Sequence, residues 1–264
     1  MTQFKEAKIV ENQEIYQKLI NVKSEQHWRV YNEPKFGYTV EADASVFNFF
    51  GNSKVYAHVF ADRSTGKILS IWFDEQETLN GYQHAFYNLV KKYGAPMKLV
   101  TDCRTVFTYH RIKGDDETSK LTQFGYWCKL LGVELITTSV SQIKPIVERC
   151  HKIIKDRLTS LFSLHKKVDI QTANKLAEGF IDETNKALGY TSKGFENVFE
   201  KYNEQVHGRL DLLLSVRNTR MFGNGCVFSF EHFLYQAIDP QSKRIMNFKP
   251  RTQVLIMRTV KNEM

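Results

Sequence analysis

The sequence predicts an α/β fold: a mixed sheet with flanking helices, followed by a small C-terminal β domain. Three observations carry this. Residues 37–74 alternate apolar and polar positions with the two-residue period of strands. Residues 78–188 then run helix, strand, helix, strand, helix, helix. Past Leu210 short alternating runs return, with Asn224-Gly225 as a hairpin signal. The 264 residues, 42% of them hydrophobic, suffice for one large domain plus a small one.

The elements follow in order. Residues 1–36 are polar and helical, with Ile15, Leu19 and Ile20 as a thin apolar face, and Pro34 and Gly37 end the pattern. Next, Tyr38, Val40 and Ala42 alternate with Thr39, Glu41 and Asp43, so Asp43 is expected at the end of the first strand. The stretch NFFGNS is expected to be a loop. In residues 54–62, Val55, Ala57, Val59 and Ala61 share one face. Ser64-Thr65-Gly66 makes a turn into a third strand at 67–74, which completes an antiparallel meander. Thr78 suits the N-cap of a helix bearing Leu79, Tyr82, Phe86, Leu89 and Val90, stopped by Gly94 before Pro96. A strand at 97–101 runs up to Asp102, and the charged stretch 111–120 is expected to be a loop near it. A helix at 121–131, a strand at 133–137, a long helix at 142–164 and another helix at 170–188 complete this part. Pro145 is tolerated because it falls in the first turn of the long helix. An RNase H-like fold has this order, as do unrelated α/β domains. Beyond it Leu212, Leu214 and Val216 alternate, and Lys243, Arg244, Lys249, Arg251, Arg258 and Lys261 make the last stretch basic. The expected division is a helical segment at 1–36, a core at 37–205 and a small basic β domain, a partial barrel, at 206–264.

The formal net charge is +8, which suits a phosphate-binding surface and equally suits an ordinary basic protein. Cys103, Cys128, Cys150 and Cys226 form no C-x-x-C pair, which fits a reduced, cytoplasmic setting. There is neither an apolar leader nor an apolar run long enough for a membrane span, so no membrane partner is expected.

Three carboxylates stand out by position. Asp43 and Asp102 are expected at strand ends, 59 residues apart (102 − 43), and Glu148 on the long helix. Carboxylates brought together repel one another and are stable mainly around cations, and oxygen-only donors suit Mg²⁺ or Mn²⁺. Two such ions serve in-line phosphoryl displacement. Spacing alone is weak support, since the chain has 29 acidic residues to choose from.

The flanking residues add to it. Asp43-Ala44-Ser45, the run Thr101-Asp102-Cys103-Arg104-Thr105-Val106-Phe107, and Gln142, Lys144, Val147, Glu148 and Arg149 resemble the three catalytic blocks of bacterial insertion-sequence transposases with a DDE, retroviral-integrase-type core. Residues 62–68, 73–82 and 121–126 are similar too, so the resemblance spans roughly 37–220. It implies an RNase H-like integrase catalytic core in which Asp43, Asp102 and Glu148 are the catalytic residues and bind two Mg²⁺ (or Mn²⁺) ions. The implied chemistry is DNA strand cleavage and strand transfer. The implied partners are DNA, both element ends and target, and further copies of the chain on that DNA, in a bacterial cytoplasm at the nucleoid.

The expected DNA-contacting residues are Gln142, Lys144, Arg149, Lys152 and Lys155, with an intrahelical Lys144–Glu148 pair and a solvated helix face as the plainer readings. His151 is expected at the surface, Trp72, Phe73 and Trp127 in the core. Departures from the family pattern are Glu41, where Gln is usual, and Pro145 and Ile146, where Gly and Arg are usual. Family members usually begin with helix-turn-helix segments, and the polar residues 1–36 stand in that place, so the chain is expected to lack that module. Two other functions stay open: a DNA-binding remnant without cutting activity that acts as an inhibitor or interaction partner, and a structure-selective nuclease.

Overall fold

The structure, a computed structural model, describes residues 35–49, 53–109, 121–140, 143–163, 169–239, 241–261 and 263. The helical segment expected before Pro34, the charged stretch at 111–120 and Gln142 lie outside them. The described residues belong to one compact unit, Asn32–Met264.

Two residues, β1 (Lys35–Phe36), lead into the meander β2 (Thr39–Phe49), β3 (Ser53–Asp62) and β4 (Ile68–Asp74). Helix α1 (Leu79–Lys92), β5 (Lys98–Thr101), α2 (Gln123–Leu130) and β6 (Glu134–Thr137) follow. The long helices α3 (Pro145–Ser163) and α4 (Ile170–Ala187) come next. The main sheet has the order β4-β3-β2-β5-β6, with β3 antiparallel to both neighbours and β5 and β6 parallel to β2. Five strands in this order, with the meander first and the parallel strands added beside β2, make the RNase H-like arrangement expected from the sequence.

Local chemistry explains the boundaries. Thr78 and Thr122 cap α1 and α2 by accepting from Gly81 N–H and Gly125 N–H. Gly94 adopts φ +110 just past α1, a conformation that suits glycine. Pro145 opens α3, where its missing N–H costs no helical hydrogen bond.

The two faces of the sheet bury separate clusters. On one, Val40, Ala42, Phe60, Leu69 and Leu99 pack with Tyr82, Phe86 and Leu89 of α1 and Phe124 and Trp127 of α2. On the other, Val55, Ala57, Val59, Ile71 and Phe73 meet Val147, Cys150, Ile154 and Leu158 of α3 and Ala173, Ala177, Phe180 and Ile181 of α4. The α3 residues recur at three- and four-residue steps, one stripe turned to the sheet.

His58 lies between β3 and α1, fully buried. Its Nδ1 is 3.2 Å from the Trp72 carbonyl, and its Nε2 accepts from Thr78 N–H at 3.4 Å. A Cβ at Gly81 would come within 2.1 Å of the ring, so that position requires glycine. Burial pushes the His58 imidazole down to about 4. Unfolded, the same group takes its proton near its ordinary value of about 6.5. Between these values the unfolded chain binds more protons. The contribution of neutral His58 is therefore complete above that ordinary value and is lost as pH falls towards 4. The full loss is on the order of 3 kcal/mol. Chemical unfolding at pH 7, 6 and 5 is expected to show falling stability, with a shallower fall in His58→Gln.

Three expectations are corrected. The first strand does not end at Asp43 but continues to Phe49, because β2 and β3 stay paired from Val40↔Asp62 to Phe49↔Ser53. That pairing takes in Asn48, Phe49 and Ser53 of the expected NFFGNS loop. Residues 210–214 are not strand. Leu210–Leu213 is one helical turn, α6, which follows the short β7 (Glu196–Asn197) and α5 (Glu204–His207) and buries Leu210 and Leu214 four residues apart. Asn224-Gly225 turns the chain, and Gly223 N–H donates to the Val227 carbonyl, but the strands on either side take other partners. β8 (Val216–Met221) pairs with β11 (Gln253–Arg258), and β9 (Val227–Phe230) pairs with β10 (Phe233–Gln236). The β9–β10 turn is Glu231-His232, both with positive φ, residues that give no hairpin signal in sequence.

Candidate active site

Asp43 lies in β2, on the face that meets α3, two residues beyond Glu41. Asp102 directly follows β5. The parallel ladder between these strands pairs Thr39↔Lys98, Val40↔Leu99 and Glu41↔Val100, a constant offset of 59 residues. The separation of Asp43 and Asp102 is the same, so the register carried two residues past its last pair would bring Asp43 level with Asp102, just beyond β5. Both side chains are partly open, 19% and 24% exposed.

Each aspartate carries a cation. Lys144, just before α3, is 4% exposed, and its ammonium is 3.4 Å from Asp43 Oδ1. Arg104 Nε donates to Asp102 Oδ2 at 2.8 Å, and Arg104 Nη1 is 2.6 Å from Glu77 Oε2. Glu77 is nearly buried and accepts from the Tyr82 hydroxyl at 2.9 Å. Burial raises the Glu77 carboxyl above its ordinary value, against the Tyr82 hydrogen bond and the Arg104 charge, while Asp102 and Asp43 raise it further. Glu77 therefore feels both aspartates and belongs to the same site.

Glu148 is exposed, one turn beyond Lys144 on α3. At helical spacing Lys144, Glu148, His151 and Lys155 form one stripe. His151, expected at the surface, is instead half-buried. Burial holds its imidazole below the ordinary value, against the charge and backbone hydrogen bond of Asp43, and its Nε2 has no hydrogen-bond partner. Among the described residues no three His, Cys, Asp or Glu side chains stand close enough to hold a metal ion. The two aspartates are balanced by Lys144 and Arg104. Glu148, one turn beyond Lys144, is exposed and forms no metal-holding group with them among the described residues. The donor set, all carboxylate oxygen with open faces on both aspartates, suits a hard divalent cation.

The expected DNA contacts divide. Lys144 faces Asp43 instead of solvent. The Arg149 guanidinium lies 5.4 Å from the centre of the Tyr190 ring. Lys152 and Lys155 are exposed. Sequence reasoning missed Glu77 as a site residue. Its one signal was a place immediately before the Thr78 cap, within reach of a strand end.

No family model matches the chain. Over 223 residues it is 31% identical to the transposase for insertion sequence IS1202 of Streptococcus pneumoniae, an alignment that takes in 84% of this chain and 47% of that protein. The chain thus spans about half the length of that relative. Among solved structures it is similar to the HTLV-2 integrase catalytic core domain in complex with magnesium, with 21% identity and a TM-score of 0.42, covering 54% of this chain and 84% of that one. It is also similar to the simian T-cell lymphotropic virus intasome in complex with PP2A regulatory subunit B56 gamma, with 21% identity and a TM-score of 0.39, covering 53% and 47%. The resemblance to insertion-sequence transposases carried by the three blocks agrees with the curated relative.

Proposed function

We propose that this chain, a relative of insertion-sequence transposases, is a transposase catalytic region that cuts DNA strands and joins them to target DNA, with Asp43, Asp102 and Glu148 as the catalytic carboxylates. The observation that carries this reading is the β2–β5 register, whose 59-residue offset equals the separation of Asp43 and Asp102, both just beyond the last parallel pair. Such strand ends are where α/β sheets carry functional groups.

Asp43 and Asp102 would hold the divalent ions, with Glu148 supplying a third carboxylate from α3. The chemistry supplied by two such ions is activation of the attacking oxygen and stabilisation of the leaving oxygen. The chain's own residues do the rest. The carboxylates form no bond to DNA. By holding the ions they would place positive charge where a phosphate must sit and so keep attacking and leaving oxygens in line. Lys144 and Arg104 neutralise the aspartates, a role that bound ions would take over. Lys152 and Lys155 continue the stripe outward and would follow the DNA backbone. The exposed Arg220, Lys243, Arg244, Lys249 and Arg251 would give the C-terminal segment, 206–264, a second DNA-facing surface. Copies of the chain would assemble on the DNA, in the cytoplasm of a bacterium. No helix among the described residues is long and apolar enough to cross a membrane.

The test is nicking of supercoiled plasmid by the purified chain. Nicked circles are expected with Mg²⁺ or Mn²⁺ and not with EDTA. Metal-independent nicking, or none at all, counts against the reading. The ion pairs on Asp43 and Asp102 favour a second reading, a DNA-binding partner without cutting activity. It predicts binding that weakens steeply with salt and no nicking.

A further inference from the structure

We propose that Glu41 is a positioning residue for this site: its carboxylate ties the first turn of α3 to the strand that carries Asp43, and so fixes where Lys144 and Glu148 stand. The proposal rests on the transposase reading for its link to catalysis and on geometry alone for the tie itself.

The first amides of any helix lack partners within it. In α3 Pro145 has no N–H, and Ile146 N–H and Val147 N–H both donate to Glu41 Oε2 at 2.9 Å. The cap thus comes from a strand more than a hundred residues earlier, not from a neighbouring Ser, Thr or Asp. It is a charged cap, which the positive end of the helix dipole favours. The other oxygen, Oε1, accepts from Arg63 Nε at 2.8 Å. Arg63 Nη2 donates in turn to the Ile143 carbonyl at 2.6 Å. The pair therefore grips the chain on both sides of Pro145, by two amides after it and one carbonyl before it. Glu41 is fully buried and Arg63 nearly so.

The position of the grip decides its consequence. Glu41 and Asp43 are two residues apart on one face of β2, roughly 7 Å along the strand. Lys144, between the gripped Ile143 carbonyl and Ile146 amide, reaches Asp43 at 3.4 Å. Glu148 follows Lys144 by one turn. A loose first turn would move both residues relative to Asp43, and a misplacement of about 1 Å can cost a reaction about a hundredfold.

The experiment compares the full chain with Glu41→Gln and Glu41→Ala by thermal melting, by amide hydrogen exchange at Ile146 and Val147, and by plasmid nicking across DNA and Mn²⁺ concentrations. Glu41→Gln puts the family's usual residue here but leaves Pro145 and Ile146 where the family usually has Gly and Arg, so the gripped turn is this chain's own. The variant keeps the shape and has one acceptor oxygen, which serves Arg63 or the amides and not both. It is expected to fold, to exchange both amides about tenfold faster, and to lower kcat about 10- to 100-fold with KM for DNA changed less than about twofold. Glu41→Ala gives larger changes in the same directions or fails to fold, and Glu41→Gln then decides alone. Unchanged amide exchange in Glu41→Gln overturns the tie. Faster exchange with unchanged kcat, or a loss confined to KM, overturns the link to catalysis. If the parent chain nicks no DNA, the transposase reading and that link fail together, while the amides still decide the tie.

Discussion

Asp43→Asn, Asp102→Asn and Glu148→Gln are each expected to reduce metal-dependent nicking by roughly a thousandfold or more, equivalent to about 4 kcal/mol of transition-state stabilisation. Each change removes a charge and keeps the side-chain shape, so the loss falls on cation binding rather than packing. Stability separates the three. Lys144 is buried against Asp43, so Asp43→Asn leaves an ammonium without its counter-charge. Breaking such a pair on one side costs more than the pair contributes. Asp102 pairs with a half-exposed Arg104, and Glu148 is itself exposed. Melting temperature should therefore fall most for Asp43→Asn. Adding Lys144→Met to that variant should restore stability without restoring activity. Measured kcat and melting curves for the four proteins check both halves. Equal stability losses in all three single variants would contradict the buried Lys144–Asp43 pair.

Trp127→Ala is expected to have the largest effect on stability. The ring is fully buried in the cluster under α1 and α2, 5.6 Å from Phe124. Removing it opens a cavity worth about 3–5 kcal/mol. The indole also donates to the Ser215 carbonyl at 3.0 Å, and an orphaned buried carbonyl adds about 1–3 kcal/mol. Nearby, Gln83 donates to the Leu214 carbonyl and Gln123 bonds both backbone groups of Arg217. These side chains join β8 to the helices, so the loss should also weaken the β8–β11 pair. Denaturant unfolding is expected to show a loss of at least about 3 kcal/mol, and Trp127→Phe a smaller one. A loss below about 1 kcal/mol in Trp127→Ala would contradict the packing described.

Much of the core was legible because its signals are local. Strand alternation, the Thr78 cap and Pro145 in a first turn each depend on residues close in sequence. The separation of Asp43 and Asp102 was visible as a number, and its meaning came from the ladder, which has the same offset. The end of the first strand was misplaced because Asn48 and Gly51-Asn52-Ser53 carry turn chemistry, whereas pairing with β3 holds the chain extended to Phe49. The partners of β8 and β9 were not legible, since Asn224-Gly225 reports a turn and not which strands meet across it. Within the site, a sequence position gives the element and the face, not the group opposite. Lys144 on Asp43, Arg104 between Asp102 and Glu77, and Glu41 under α3 all join segments far apart in the chain.

The central claim is that Asp43 on β2 and Asp102 just past β5, with Glu148 from α3, hold divalent cations. Anomalous diffraction at the manganese edge, from crystals of the chain grown with Mn²⁺, tests it most directly. The expected result is manganese peaks against the Asp43 and Asp102 carboxylates, with Lys144 and Arg104 displaced from them and Glu148 turned inward. Manganese bound only elsewhere, with the Lys144–Asp43 and Arg104–Asp102 pairs intact, would contradict it.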